Sequence, residues 1–579
     1  MVDGLTLLDE YDKNAEQITR SNANYNVSFS GKQSYVISKI LKEYAINQLE
    51  EEERRHWRDG DYYIHNLSEG MQVIYCLGGS LLSLLQKGLS CGGVSSKPAK
   101  HFDSAVDQLV NYLMIATQEV SGAVAFSDFN TLLSPFIKYD GLTEKQVKQI
   151  LQRMVFNLSF PSRKAFQNPF SNLSFNLNCP KYFSNMPTII CGEPQDSTYA
   201  DYEDEANLIT RMFTDVLLDG DGVGRQFTFP IPTMNLTWKT DFTTETFNKV
   251  LTSVAKLGSY SFMNYRGTNI DENGVRAMCC RLNLSLKELS QARGLWNIGD
   301  GTGSLCVVTL NLGRLGYLVN GGANIFDWVD VLLDSARKIF SKKRSIVKKS
   351  FEMGYFPLLS YFDLNLDHFF NTIGIVGLNE MYMNIDGYGL FGHVDDATKF
   401  LDHINKKLRI FQEEDGVLYN LEMTPAEESA NRLAAKDIKQ FPDIITQGTR
   451  DIPYYTSMLV PPSDNIYWGF KMEAEARLMP KFSGGTVHRL FIAREDSINS
   501  IRHILKDVSD HTIPYFDFTP TVSYCPICRT RKVGVIVKCS ECGSRTEIFS
   551  RVVGYVRKVS KWSDARQNEF WNRKYVNFG

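Results

Sequence analysis

No surplus of positive charge marks this chain: 63 Lys and Arg stand against 66 Asp and Glu, a net charge of −3. It therefore lacks an overall footprint for gripping a phosphate backbone, and nucleic acid is not an expected partner. Long hydrophobic runs are missing too. The most apolar stretch, "VIYCLGGSLLSLL", is too short to span a bilayer, and "MVDGLTLLDEYDKNAEQ" carries acids where a signal peptide has a basic start. The expectation is a cytoplasmic protein with no membrane partner. A secretory disulfide framework is also absent, since the 11 cysteines are odd in number and scattered outside the C-terminus. Reduced thiols are left open to metal binding or chemistry. No linker rich in Pro, Gly or Ser divides residues 1–515, and no repeat or low-complexity tract is visible.

What the chain does have is 43% hydrophobic residues, enough for a globular interior. Residues 1–60 read as helical scaffold, with "YVISKILKEYAINQLEEEERRHW" pairing apolar residues at helical spacing with a charged outer face. "KHFDSAVDQLVNYLMIATQEV" repeats the pattern through Phe102, Val106, Leu109, Val110 and Leu113, a stripe that covers either a core or a subunit contact. From about residue 170, short apolar or alternating segments such as "LSFNL", "RQFTFPIPT", "LCVVTLNL" and "TIGIVGL" alternate with helices such as "NIFDWVDVLLDSARKIF". That alternation predicts an α/β architecture around one sheet or barrel. The organisation expected is a catalytic body over 1–520, a cysteine module over 521–545 and a tail over 546–579.

Within the module, Cys525 and Cys528 form one CxxC and Cys539 and Cys542 another, ten residues apart. Two such knuckles can converge four thiolates on Zn²⁺ in a closed site that folds the segment without touching substrate; a redox CxxC is the alternative. Arg529, Arg531, Lys532 and Lys538 would suit a nucleic-acid ribbon, though a solvated face is the commoner explanation for such a patch. Gly554 follows in "SRVVGYV". As a residue type it reads as a turn or bulge glycine.

Arg-x-x-Gly-Tyr near a C-terminus resembles the radical site of the glycyl radical enzymes. "VRAMCCRLNLSLKEL" resembles the finger loop of their anaerobic (class III) ribonucleotide reductases, and the resemblance runs over nearly the whole chain through "SNANY", "RDGDYYIHNLSEG", "PFSNLSF", "DGVGRQFTFPIPTMNLT", "GSLCVVTLNLGRLGYL", "TIGIVGLNE", "LEMTPAEESANRLAAKD" and "FSGGTVHRLFI". It implies a ten-stranded α/β barrel with a central finger loop, and reduction of ribonucleoside triphosphates. Gly554 would carry the radical, made with S-adenosylmethionine by an iron–sulfur activase. Cys280 would become the thiyl, with Cys279 as the alternative, and Cys76 would be the second active-site thiol or else a buried small hydrophobe. Formate as reductant, a homodimer, and dNTP or ATP effectors at its interface follow from the same resemblance. "SNANY" begins near residue 21, so no N-terminal ATP-cone is expected.

Departures remain. His65-Asn66-Leu67-Ser68 stands where the family reads His-Asp-Leu-Asp or similar, which keeps His65 out of the expected catalytic set. Cys91, Cys179, Cys191 and Cys306 match no motif and are expected to be buried. Asn311 is either a group orienting formate or ribose or a satisfied core amide. For the triphosphate, Thr424, Pro425 and Glu427 suggest a capped helix N-terminus, and Ser483, Gly484, Gly485 and Thr486 a glycine cradle. A glycyl radical lyase or dehydratase, and a zinc-ribbon nucleic-acid-binding protein, are the alternatives.

Overall fold

The computed structural model describes residues 3–21, 26–270, 275–277, 283–285, 301–320, 322–426, 428–494 and 498–576. Ten strands follow one another in a single path. The first five run parallel: β1 (Cys76–Gly79), β2 (Val124–Phe126), β3 (Ser171–Asn176), β4 (Ile231–Leu236) and β5 (Ser261–Asn264). The second half holds β6 (Thr302–Asn311), β7 (Phe369–Val376), β8 (Tyr419–Met423), β9 (His488–Ile492) and β10 (Tyr515–Pro520). The halves meet antiparallel where β6 pairs with β1 and β10 with β5. Between β8 and β9 the seam closes through the bridge Glu422–Gly485, where Gly484 N–H donates to Leu421 O at 2.7 Å and Met423 N–H to Gly485 O at 3.0 Å. The sheet is thus a closed ten-stranded barrel, as expected from the sequence.

Alternation along each strand sorts the side chains. Leu173 and Phe175 of β3, Met234 and Leu236 of β4, and Tyr419, Leu421 and Met423 of β8 join the main core between barrel and helices. Their neighbours Asn172, Ser174, Asn176, Thr233, Asn235, Asn420 and Glu422 take the opposite face, which gives the barrel a polar lumen. Among the outer helices, α3 (Phe102–Glu119) buries Phe102, Val106, Leu109, Val110 and Leu113 completely or nearly so, which makes its stripe a core face. The predicted strand in "RQFTFPIPT" starts only at Ile231. Phe229 leaves the ladder and packs against Phe170 and Tyr555.

At the N-terminus α1 (Gly4–Ser21) and α2 (Phe29–Asn47) form a helical pair over one barrel mouth. At the other end of the chain β10 runs through Thr521 into a four-stranded sheet ordered Arg531–Val533, Val522–Tyr524, Glu547–Arg551, Val556–Lys558. Cysteine knuckles and radical motif therefore share one sheet. Among the described residues, no helix is long and apolar enough to cross a membrane.

Candidate active site

Arg551 and Val556 form the last pair of the hairpin Glu547–Lys558, and Val552 N–H donates to Tyr555 O at 3.2 Å. Gly554 thus sits half-buried in the hairpin turn. Its carbonyl accepts from Arg551 Nη1 at 2.7 Å, while Arg551 Nη2 donates to Gly258 O and Ser259 O at the foot of β5. The arginine of the motif thereby pins the glycine turn to the barrel rim. Below it lies a second buried pair, Arg489 Nη2 to Asp517 Oδ2 at 2.8 Å. Burial opposes ionisation of Asp517, but the guanidinium charges of Arg489 and Arg551 hold its carboxyl well below the usual range. Tyr555 packs in a triangle with Phe170 and Phe229, its centroid 5.8 Å from each and theirs 5.1 Å apart, and Arg163 stacks on Phe170 at 5.2 Å.

Arg163 is buried against carbonyls of Thr117, Val120 and Ser121, and burial lowers its pKa to about 10. It fixes the turn that leads into β2 beside Cys76. Cys76 opens β1, wholly buried, with Sγ accepting from Ala123 N–H at 3.5 Å. Its neighbours are Ala125, Phe370 and Leu418, and it stands opposite Ser304 of β6. A Cβ on Gly122 would come within 2.5 Å of Cys76 Sγ, so that position tolerates only hydrogen.

A cavity of about 630 Å³ lies beside these parts and is lined by their chain neighbours Tyr75, Val553 and Tyr555 and by Phe170. His65 lines it as well, half-buried, and bonds Thr309 Oγ1 through Nε2 at 2.8 Å; Thr309 in turn meets Thr424 Oγ1 at 2.8 Å. Burial first, then the charge of Lys343, lowers the His65 pKa to about 3, so the ring is neutral at ordinary pH. Sequence reasoning set His65 aside because the motif around it departs from the family pattern. Its place in the wall was not legible there.

Several expected contacts sit elsewhere. Asn311 spends its amide on Gly60 O at 2.9 Å and Asp437 Oδ2 at 2.7 Å, and its oxygen accepts from Arg314 N–H, so it is a satisfied core amide. Thr424 does not cap α5 (Glu428–Gln440); its hydroxyl turns to Thr309 and its N–H to Ile375 O. Gly484 and Gly485 direct their amides to Leu421 O and Phe482 O, which the closing seam requires, and Ser483 Oγ accepts from Leu421 N–H. That segment is a seam and not a phosphate cradle, although the buried Thr486 hydroxyl has no hydrogen-bond partner among the described residues. Cys306 is buried as expected, whereas Cys91, Cys179 and Cys191 are half-exposed. Cys279, Cys280 and Glu427 lie outside the described residues.

The cysteine knuckles converge. All four sulfurs of Cys525, Cys528, Cys539 and Cys542 lie within 4.8 Å of one another. A tetrahedron of Zn–S bonds of about 2.3 Å has edges of roughly 3.8 Å. The Cys525–Cys542 and Cys528–Cys539 pairs stand at 3.6 and 4.0 Å, so the donor set fits a closed zinc site with no open position.

Comparison with known proteins agrees with this geometry. The family model for anaerobic ribonucleoside-triphosphate reductase matches residues 21–575. The anaerobic ribonucleoside-triphosphate reductase of Haemophilus influenzae is 22% identical over 93% of this chain and 81% of its own length. Among solved structures, an anaerobic ribonucleotide reductase superposes with a TM-score of 0.79 at 22% identity, covering 99% of this chain and 93% of the other. The Thermotoga maritima anaerobic ribonucleotide reductase, solved in complex with dATP and CTP, superposes with 0.76 at 20% identity, covering 97% of both chains. With a closed ten-stranded barrel, a glycine turn at its rim and a match over almost its full length, the chain belongs to the anaerobic ribonucleoside-triphosphate reductase family.

Proposed function

We propose that this chain reduces ribonucleoside triphosphates with formate, using Gly554, Cys280 and Cys76 as its radical and thiol groups. An iron–sulfur activase working on S-adenosylmethionine removes one hydrogen from the Gly554 α-carbon. Glycine suits the task because an α-carbon without Cβ can flatten and share its spin with both flanking amides. The glycyl radical takes hydrogen from the Cys280 thiol, breaking S–H and restoring C–H. The thiyl takes the ribose 3′-hydrogen, the 2′-hydroxyl leaves as water, and Cys76 supplies a hydrogen from the barrel wall. Formate delivers two electrons and leaves as carbon dioxide; with one proton taken up, ribonucleotide and formate give deoxyribonucleotide, carbon dioxide and water. The 3′-hydrogen then returns and the spin goes back to Gly554.

The observation that carries this reading is the Gly554 turn held by Arg551 at the rim of the barrel from which Cys76 projects. Zinc on the four cysteines would fold the sheet that presents the turn. A homodimer reading dNTP or ATP effectors belongs to the same reading. The lyase and nucleic-acid-binding alternatives leave the family match unexplained. The test is anaerobic activation followed by electron paramagnetic resonance and addition of a ribonucleoside triphosphate with formate. A glycyl doublet with deoxynucleotide formation is expected, Gly554→Ala removing the doublet and Cys280→Ala keeping it without turnover. A doublet that persists in Gly554→Ala would refute the assignment.

A further inference from the structure

Residues 163–167 hold a conformation that their side chains disfavour. Ala165 and Phe166 follow one another at φ of 59° and 60°, the left-handed region in which a Cβ crowds the backbone. Strain of this kind persists only where surrounding contacts over-determine it, and it clusters at functional sites. Here the turn is closed by Arg163 N–H donating to Gln167 O at 2.8 Å and Gln167 N–H donating to Arg163 O at 3.3 Å. Asn26 bolts it from outside, its N–H donating to Ala165 O and its side-chain amide to Phe166 O, and Lys164 pairs with Glu69 at 2.8 Å. What the turn delivers is Arg163 at its start and, just past its end, Phe170.

The Arg163 side chain is buried and its guanidinium acts in two directions. On one side Nε donates to Thr117 O at 2.5 Å, and Nη2 to Val120 O and Ser121 O at 3.0 and 3.1 Å. These carbonyls stand at the C-terminal end of α3, where backbone oxygens run out of helical partners and form the negative end of the helix dipole. The turn that follows them seats the thiol: Gly122 N–H donates to Tyr75 O at 2.6 Å, Ala123 N–H to Cys76 Sγ at 3.5 Å, and Gly122 leaves no room beside the sulfur for a Cβ. On the other side the guanidinium lies over the Phe170 ring at 5.2 Å. Phe170 in turn packs on Tyr555, the residue after Gly554, at 5.8 Å.

We propose that Arg163 is a positioning residue for the reduction, holding the Cys76 thiol and the Gly554 turn in one fixed relation through Phe170 and Tyr555. The inference rests on the reductase reading for the roles of Cys76 and Gly554. Hydrogen transfer demands near-contact geometry, yet the thiol rides on the first barrel strand and the glycine on a hairpin of the tail, so something must register one against the other. A hairpin that left the rim would take Tyr555 off Phe170, uncover that ring and unload the arginine side of the thiol seat. Its return restores the seat, so the thiol is set when the glycine is docked. The strained turn is the fixed point between them.

The experiment uses the full chain, first without activation. Wild type, Arg163→Gln, Phe170→Leu and Tyr555→Leu are treated with iodoacetamide, and Cys76 is followed by peptide mass spectrometry with Cys306, wholly buried in β6, as the internal control. Each variant is expected to speed Cys76 alkylation about tenfold or more, while Cys306 stays within about twofold. Equal acceleration of both thiols means that Arg163 only stabilises the fold, and overturns the proposal. Wild-type Cys76 reactivity in Phe170→Leu or Tyr555→Leu overturns the link to the glycine turn, a result that stands even where Arg163→Gln does not fold. After activation, kcat should fall about tenfold in Arg163→Gln with KM within about twofold and the glycyl doublet at full intensity; an unchanged kcat overturns the positioning role. Failure of the reductase reading shows separately, as wild type without a glycyl doublet or turnover, and the alkylation arm still decides whether seat and turn are linked.

Discussion

At the scale of single residues, the chemistry is set by close fits that local sequence does not display. Cys76 was legible as a motif position, but its seat was not, because the seat is made by Gly122 on the next strand's lead-in. Gly122→Ala would put a methyl 2.5 Å from Cys76 Sγ and 2.8 Å from Tyr75 O, a separation real Cβ atoms do not adopt. Deoxynucleotide formation is expected to fall at least tenfold while the glycyl doublet keeps its intensity; retention of full turnover would show that the thiol's exact seat is irrelevant. His65 gives a pH prediction. Its folded pKa, about 3, lies below the ordinary value of 6.5, so its contribution to stability is present above about pH 6.5 and is lost as pH falls toward 3. Urea midpoints should therefore drop on acidification from pH 7 to 5 more steeply in wild type than in His65→Gln. Equal slopes would mean the ring is not held neutral. Asn311 shows the opposite case: an amide in an apolar strand is visible in sequence, but only the fold reveals that Gly60 and Asp437 already consume it.

At the scale of elements, the convergence of the four cysteines was legible because a candidate metal site is written in short, local spacing. Their relation to the glycine was not, since strand pairing across Glu547–Arg551 is what puts both on one sheet. That pairing has a consequence for metal removal. Val522–Tyr524, which leads into Cys525, is the partner of Glu547–Arg551, and the latter is the first arm of the glycine hairpin. If zinc occupies the four cysteines, stripping it would unfold the knuckles, free one edge of this sheet and loosen the hairpin without touching the barrel core. Chelation, or Cys525→Ser, is expected to abolish stored glycyl radical and expose the segment to protease, with far-ultraviolet circular dichroism nearly unchanged. A stable doublet in the zinc-free protein would separate the two elements. The same arm is also held from the tail, where Arg573 donates to Ser550 Oγ at 3.3 Å and to Arg551 O at 3.1 Å. In α6 (Asp564–Asn572) the buried Glu569 bonds Arg573 Nη2 at 3.0 Å and also Arg566, which reaches Ser457 Oγ at 2.9 Å. Glu569→Gln leaves two buried guanidinium groups short of a counter-charge, which costs about 3–5 kcal/mol; tail cleavage by protease should accelerate before the barrel melts.

At the scale of the whole molecule, the barrel was legible because alternating strands and helices leave few ways to bury both faces, and the family motifs fall on its strands in order. The seam was not legible. Glycines in "FSGGTVH" advertise close backbone approach, and sequence cannot say whether phosphate or another strand makes that approach; here β8 does. Equally hidden was the meeting of the two chain ends. Arg557 Nη2 donates to Thr19 O at 3.3 Å, and Arg20 pairs with Asp564, so α1 lies across the strand that follows the glycine turn. The Arg20–Asp564 pair is 38% and 62% exposed and contributes little by itself, on the order of 1 kcal/mol or less. Leu7, Tyr11 and Tyr35 supply the apolar contact that keeps α1 on α2, and through it over the turn. If the turn must swing out to be activated and stay covered to be stored, α1 opposes the first motion and protects the second. Removing residues 1–21 is expected to speed appearance of the glycyl doublet with the activase severalfold. It should also speed chain cleavage at Gly554 in air by a similar factor. Asp564→Asn alone should change either rate less than twofold. Acceleration of both rates by the deletion, with little effect of the point variant, would mean that coverage by the helix governs access to the glycine; unchanged rates in the deletion would show that the turn opens without regard to the N-terminal pair.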